Sequence, residues 1–204
     1  MKGLTKNLVL ALAIVVVLVG CKQPTQLIDS TKAAIEDLAK GGADKYAVDE
    51  FKKLKDDLQA ATDEVAAQDK KFFKKFGTAK DMLNKVTADA ATLKAALPAK
   101  IEAVKNEAIK LQGEVKTALE DATKLLAKAP KGKGTAKDIE ALKGDLAGAE
   151  TSFADIQKAI DGQDYIGALD KAKSIKDAVA KVVDQVNAAI EKATGKKPVA
   201  PVTK

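Results

Sequence analysis

From Phe51 onward, apolar and small residues return along the chain at alternating steps of three and four. One stripe runs Phe51, Leu54, Leu58, Ala61, Val65, Gln68, Phe72; the next runs Phe76, Ala79, Leu83, Val86, Ala90, Leu93, Leu97. A third contains Ile101, Val104, Ala108, Leu111, Val115, Ala118, Ala122 and Leu125. Ile139, Leu142, Leu146, Ala149, Phe153, Ile156 and Ile160 form a fourth, and Tyr165, Ala168, Ala172, Ile175, Val179, Val182, Val186 and Ala189 a fifth. This spacing puts each set on one face of an α-helix and the charges on the other. A shorter helix, Asp29 to Lys40, carries Ile35 and Leu38. No segment keeps the period of two that a strand requires. The fold class expected is all-α: a heptad-patterned helical bundle, or two related helical hairpins joined by a long helix.

Punctuation between the stripes agrees with this reading. Gly41-Gly42 ends the first helix. Thr78 with Asp81, and Thr135 with Asp138, are short-armed capping boxes. Pro98 suits the first position of a separate helix, Pro130 through Gly134 is a break, and Gly162 divides the last two helices. A shift of 88 residues lays Leu38-Ala39-Lys40 on Leu126-Ala127-Lys128, and Leu54-Lys55 and Asp57-Leu58 on Leu142-Lys143 and Asp145-Leu146. One further residue of shift lays Phe76, Ala79, Asp81 and Val86 on Tyr165, Ala168, Asp170 and Ile175. The helical domain, 29–194, is therefore read as repeat-like halves, 29–97 and 126–194, with helix 99–128 connecting hairpins 47–97 and 136–194. Residues 195–204 read as an unpacked tail.

Before all this, residues 1–20 have a different character. The chain starts Met1-Lys2-Gly3-Leu4-Thr5-Lys6, basic and free of acids, and continues in an apolar run from Leu8 to Val19. That run makes roughly 18–20 Å of helix, short of a bilayer core of about 30 Å. A basic start with a short apolar run is the design of a secretory signal peptide. Leu18-Val19-Gly20-Cys21 resembles the lipobox of bacterial lipoprotein signals and contains the one Cys of the chain. The resemblance implies a diacylglyceryl thioether on Cys21, cleavage before it, and a further acyl chain such as palmitate on the new amino terminus. Residues 21–28 then become a lipidated tether. Position 22 is Lys rather than Asp, which by similarity to lipoprotein sorting in two-membrane bacteria implies the periplasmic face of the outer membrane.

Composition narrows the chemistry. All 35 basic residues are Lys; there is no His, no Arg and no Trp. A His-dependent triad, a His metal site and an Arg phosphate clamp lack their residues. Of the formal charge of +6, Lys2, Lys6, Lys196, Lys197 and Lys204 lie at the ends, leaving 30 Lys against 29 acids, or +1, across residues 22–194. So even a body is not that of a nucleic-acid binder. Adjacent acids such as Asp56-Asp57 and Glu120-Asp121 point about 100° apart on a helix rather than at one substrate. Many have a Lys four positions on, as Asp49 with Lys53, Asp81 with Lys85 and Glu120 with Lys124, the pattern of a solvated ion-paired face. No catalytic residue, metal or cofactor is expected. The densest local feature is Lys70-Lys71-Phe72-Phe73-Lys74-Lys75-Phe76, in which Phe72 and Phe76 fall on the stripes and Phe73 does not. Lys70, Lys71, Phe73, Lys74 and Lys75 are thus a candidate contact for a membrane or an acidic partner.

Further resemblances follow from short runs. Ala33-Ala34-Ile35, then Gly42-Ala43-Asp44-Lys45-Tyr46-Ala47, then Phe51 and Leu58 make residues 30–97 similar to a small helical lipoprotein domain of unknown function, with Val48 where that family has Pro. Gly162-Gln163-Asp164-Tyr165 with Ala168-Leu169 and Lys171-Ala172 is similar to the middle of a tetratricopeptide unit. Val202-Thr203-Lys204 resembles the end of the major outer-membrane lipoprotein, which implies a peptidoglycan bond through Lys204. The expectation is a lipid-anchored, non-catalytic envelope protein that binds a protein partner or itself. The alternative is a carrier of an apolar ligand held between helices.

Overall fold

The computed structural model describes residues 22–129 and 135–195. Among the described residues there are six helices and no strand, as the stripes require. They are α1 (Thr25–Lys40), α2 (Ala43–Tyr46), α3 (Val48–Asp69), α4 (Gly77–Ala127), α5 (Ala136–Asp161) and α6 (Tyr165–Thr194). The chain divides between Lys100 and Ile101 into two compact units, and α4 contributes to both.

In the first unit α3 and the start of α4 form an antiparallel pair. Lys100 donates to Glu50 at 2.6 Å near one end, while Val65 packs with Phe76 and Ala79 at the other. The helix α1 lies beside α4 and runs in the same direction. Ile28 packs on the Val65–Phe76–Ala79 cluster, the Thr31 and Thr87 hydroxyls are 2.9 Å apart, and Lys94 reaches Asp37 at 3.4 Å. Thr31 is fully buried. Its hydroxyl also faces the Leu27 carbonyl at 2.7 Å, and that of Thr87 the Leu83 carbonyl at 2.9 Å, so two protons serve three contacts and no buried oxygen is stranded. Every member of the second stripe, Phe76 through Leu97, is buried.

The start of the fold differs from expectation. Pro24 is buried and α1 begins at Thr25, so the segment expected as a tether over 21–28 is already packed four residues before Asp29. A proline just ahead of the first helical turn ends the extended chain and fits the missing N–H there. Beyond Gly41, Gly42 adopts φ 87°, a left-handed conformation that only glycine takes without strain, and starts the one-turn helix α2.

The second unit is built from α4 beyond Ile101, α5 and α6. Gln112 donates to Gln157 at 2.9 Å and Thr123 to Glu150 at 3.2 Å, which sets α4 antiparallel to α5. Lys176 of α6 donates to Glu114 of α4 at 2.6 Å. Ala108, Val115, Leu119 and Ala122 share one core with Ile139, Leu142, Ile156, Ala168, Val179 and Val186. The segment 99–128, expected as a connector, is thus one wall of this core. Each unit is an up-down-up set of three long helices, and the shift found in the sequence pairs buried positions as well. Thr31 matches Leu119, Leu38 matches Leu126, Leu54 matches Leu142, and Ala79 to Leu97 match Ala168 to Val186.

Three boundaries depart from the expected punctuation. Pro98 does not start a helix; it lies inside α4, exposed on its outer side. Burial of Leu93 and Leu97 before it and of Ala108 after it outweighs the cost, about 3 kcal/mol, of proline in a helix interior. Thr78 is inside α4 rather than ahead of it, and Thr135 takes the N-cap position of α5 without a side-chain cap bond. The Asp138 arm is one methylene shorter than the Glu of a full capping box. The cap that does form is at α6, where Asp164 accepts from the Gly167 N–H at 3.1 Å. The expected break at Pro130–Gly134 lies outside the described residues.

Candidate functional site

The turn between α3 and α4 concentrates the chemistry. The last turn of α3 buries Val65 and half-buries Gln68, and the helix stops at Asp69. Its end is held locally: Lys70 takes the C-cap position and the Lys71 N–H bonds the Gln68 carbonyl at 3.0 Å. Continuing the helix would stack Lys70 over Lys74 and Lys71 over Lys75, like charges four residues apart, which opposes helix by a few tenths of a kcal/mol per pair. Lys74 instead turns back to Asp69, Nζ to Oδ1 2.6 Å.

This early stop decides where the three rings go. Phe76 is buried, 1% exposed, against Val65, Ala79 and Ile28. Phe73 stands in solvent at 76% exposure, as its place off the stripe predicts. The stripe assigned Phe72 to the α3 core; the structure leaves it 93% exposed, because the helix ends three residues short of it. The two outer rings meet edge to face with centroids 5.0 Å apart. Lys70, Lys71 and Lys75 are exposed around them, and no acid occurs between 70 and 76. Lone exposed apolar residues are ordinary, whereas these two rings form one exposed apolar patch next to lysines.

The second unit provides an internal comparison. At the equivalent corner α5 continues to Asp161 and the turn is only Gly162 to Asp164. Ile160, the counterpart of Phe72, is half-buried on the core there. A three-helix unit of this design therefore closes without exposing apolar side chains, and the exposure at 72–73 is particular to the first unit.

The remaining candidates are distributed elsewhere. Cys21, the whole stretch 1–20, the tail beyond Gly195 and Lys204 lie outside the described residues. The acidic pairs lie on solvated faces, but the partners differ from those the spacing picks: Lys53 pairs with Asp57, Lys85 with Asp89 and Lys124 with Asp121. A hydrogen bond from Lys158 holds the Asp155 carboxyl below its ordinary range, and the bond to Asp89 raises the Lys85 ammonium. Among the described residues no group of three His, Cys, Asp or Glu could hold a metal ion, and no helix is long and apolar enough to cross a membrane. A cleft of about 470 Å³ opens between α5 and α6, with Asp138, Asp145, Gln185 and Lys192 around Leu142 and Ala189. Ala141 and Ala188 complete a lining that is half apolar and half polar. No protein-family model matches the chain, and comparison with curated proteins and with solved structures finds no match.

Proposed function

We propose that this chain is a bacterial lipoprotein, held on the envelope by acyl chains on Cys21, with a structural or interaction role rather than a catalytic one. The observation that carries the reading is Leu18-Val19-Gly20-Cys21 closing a short apolar run behind a basic start. Two or three acyl chains, at about 0.8 kcal/mol per buried CH₂, anchor a protein stably. The nearly balanced helical body and its ion-paired faces fit a protein that works through surfaces. Lys22 favours the outer membrane in a two-membrane host, and the partner is another protein or a second copy of this chain. Mass spectrometry of the mature amino terminus tests the anchor. The expected species begins at Cys21 and carries a diacylglyceryl group and a further acyl chain; a chain beginning at Met1, or an unmodified Cys21, overturns the reading.

A further inference from the structure

Three features of the first unit converge on one end of it. The exposed Phe72–Phe73 pair and its lysines occupy the α3–α4 turn. At the same end α1 begins, because Ile28 packs against Val65, Phe76 and Ala79. The parallel register of α1 with α4 agrees: Thr31 faces Thr87, Lys94 reaches Asp37 and Gly41 approaches Leu97. Pro24, immediately ahead of α1, therefore lies toward the apex end of the unit.

The distance available is small. Pro24 is buried in the unit, so only Lys22 and Gln23 separate Cys21 from packed protein. Three residue steps reach at most about 10 Å. If lipid on Cys21 sits in a bilayer, this end of the unit is pressed to the headgroups.

We infer that the Lys70–Lys75 apex is a second, non-covalent membrane contact beside the lipid. Phe72 and Phe73 enter the boundary between headgroups and acyl chains, and Lys70, Lys71 and Lys75 bind anionic headgroups. The chemistry of the apex matches this occupant: rings that no protein group covers, a collar of one charge sign, and the point of lipid attachment at the same end. Each lysine near an anionic surface strengthens association roughly fivefold. Aromatic side chains suit the interface depth. An acidic protein partner would use the lysines, but it would not account for the exposed rings lying at the end where α1 starts. One covalent tether leaves a body free to tumble; a second contact at the same end fixes which end faces the bilayer. This inference rests on the acylation of Cys21 proposed above.

The chain has no Trp, so a single substituted ring reports on its own surroundings. Full-length protein carrying Phe73→Trp, and separately Val48→Trp at the exposed far end of α3, is purified from membranes. It is then reconstituted in phosphatidylcholine–phosphatidylglycerol vesicles with brominated acyl chains. Both sites are exposed, so neither change threatens the fold. The expected result is that Phe73→Trp emission shifts to the blue and loses most of its intensity, while Val48→Trp is unaffected. Adding Lys70→Gln, Lys71→Gln and Lys75→Gln to Phe73→Trp is expected to relieve the quenching. Quenching at neither site, on protein whose Cys21 is shown by mass to be acylated, overturns the membrane contact alone and leaves the apex to a protein partner. Quenching at both sites overturns the end-on arrangement. An unacylated Cys21 overturns the anchoring reading, and this inference with it.

Discussion

At the scale of single residues, the apex contrasts two phenylalanines three positions apart. Phe76 fills the space between Val65, Ala79 and Ile28, and Phe73 touches solvent. Phe76→Ala is therefore expected to destabilise the protein by about 3–5 kcal/mol, and Phe73→Ala by less than about 0.5 kcal/mol, in urea unfolding followed by circular dichroism. Equal costs would mean that the outer rings are packed. Phe73 was legible in the sequence because it breaks the three-four spacing. Phe72 was not, because a periodic pattern says nothing about where its helix stops; the lysine pairs that disfavour helix there lie outside the pattern. Thr31 was equally hidden. A fully buried threonine interrupts no charge pattern, and its partner Thr87 is 56 residues away.

At the scale of elements, the five stripes fall on α3 to α6, two of them on the single helix α4, since burial follows hydrophobic period directly. The boundaries were less legible. Pro98 looked like a helix start because proline at the first position and proline in an interior present the same sequence; only tertiary burial on both sides distinguishes them. The consequence is testable. Pro98 is exposed within α4 and contributes no N–H to the helix. Pro98→Ala is expected to raise stability by up to about 3 kcal/mol, seen as a higher midpoint in thermal denaturation. An unchanged or lower midpoint would mean that the proline is needed where it stands. The one-turn helix α2 escaped the pattern because four residues are too few to show a period.

At the scale of the whole molecule, the repeat in the sequence corresponds to two units with the same order of helices, although the connector proved to be part of the second. Among the described residues each unit also has a cross-helix lysine–glutamate pair. Hydrogen bonds from Lys100 and Lys176 hold Glu50 and Glu114 below the ordinary value of 4.5. On acidification the unfolded chain takes up these protons first, so the stability the pairs supply is present above that value. It is lost as pH falls through 4.5 and on through the lower folded values. Both pairs are exposed, which keeps the effect small and lets salt erase it. Melting curves from about pH 7 to about pH 3 at low salt are expected to fall more steeply for the native chain than for Lys100→Gln with Lys176→Gln. Parallel curves would remove the pairs from the account. The buried Thr31–Thr87 contact has a different kind of consequence. A seam lined with methyl groups is smooth, and one helix slid along another by a turn would lose little van der Waals contact. Two hydroxyls that meet at a single setting act as a shallow detent: slippage breaks their mutual contact, while each keeps the carbonyl of its own helix, Leu27 or Leu83.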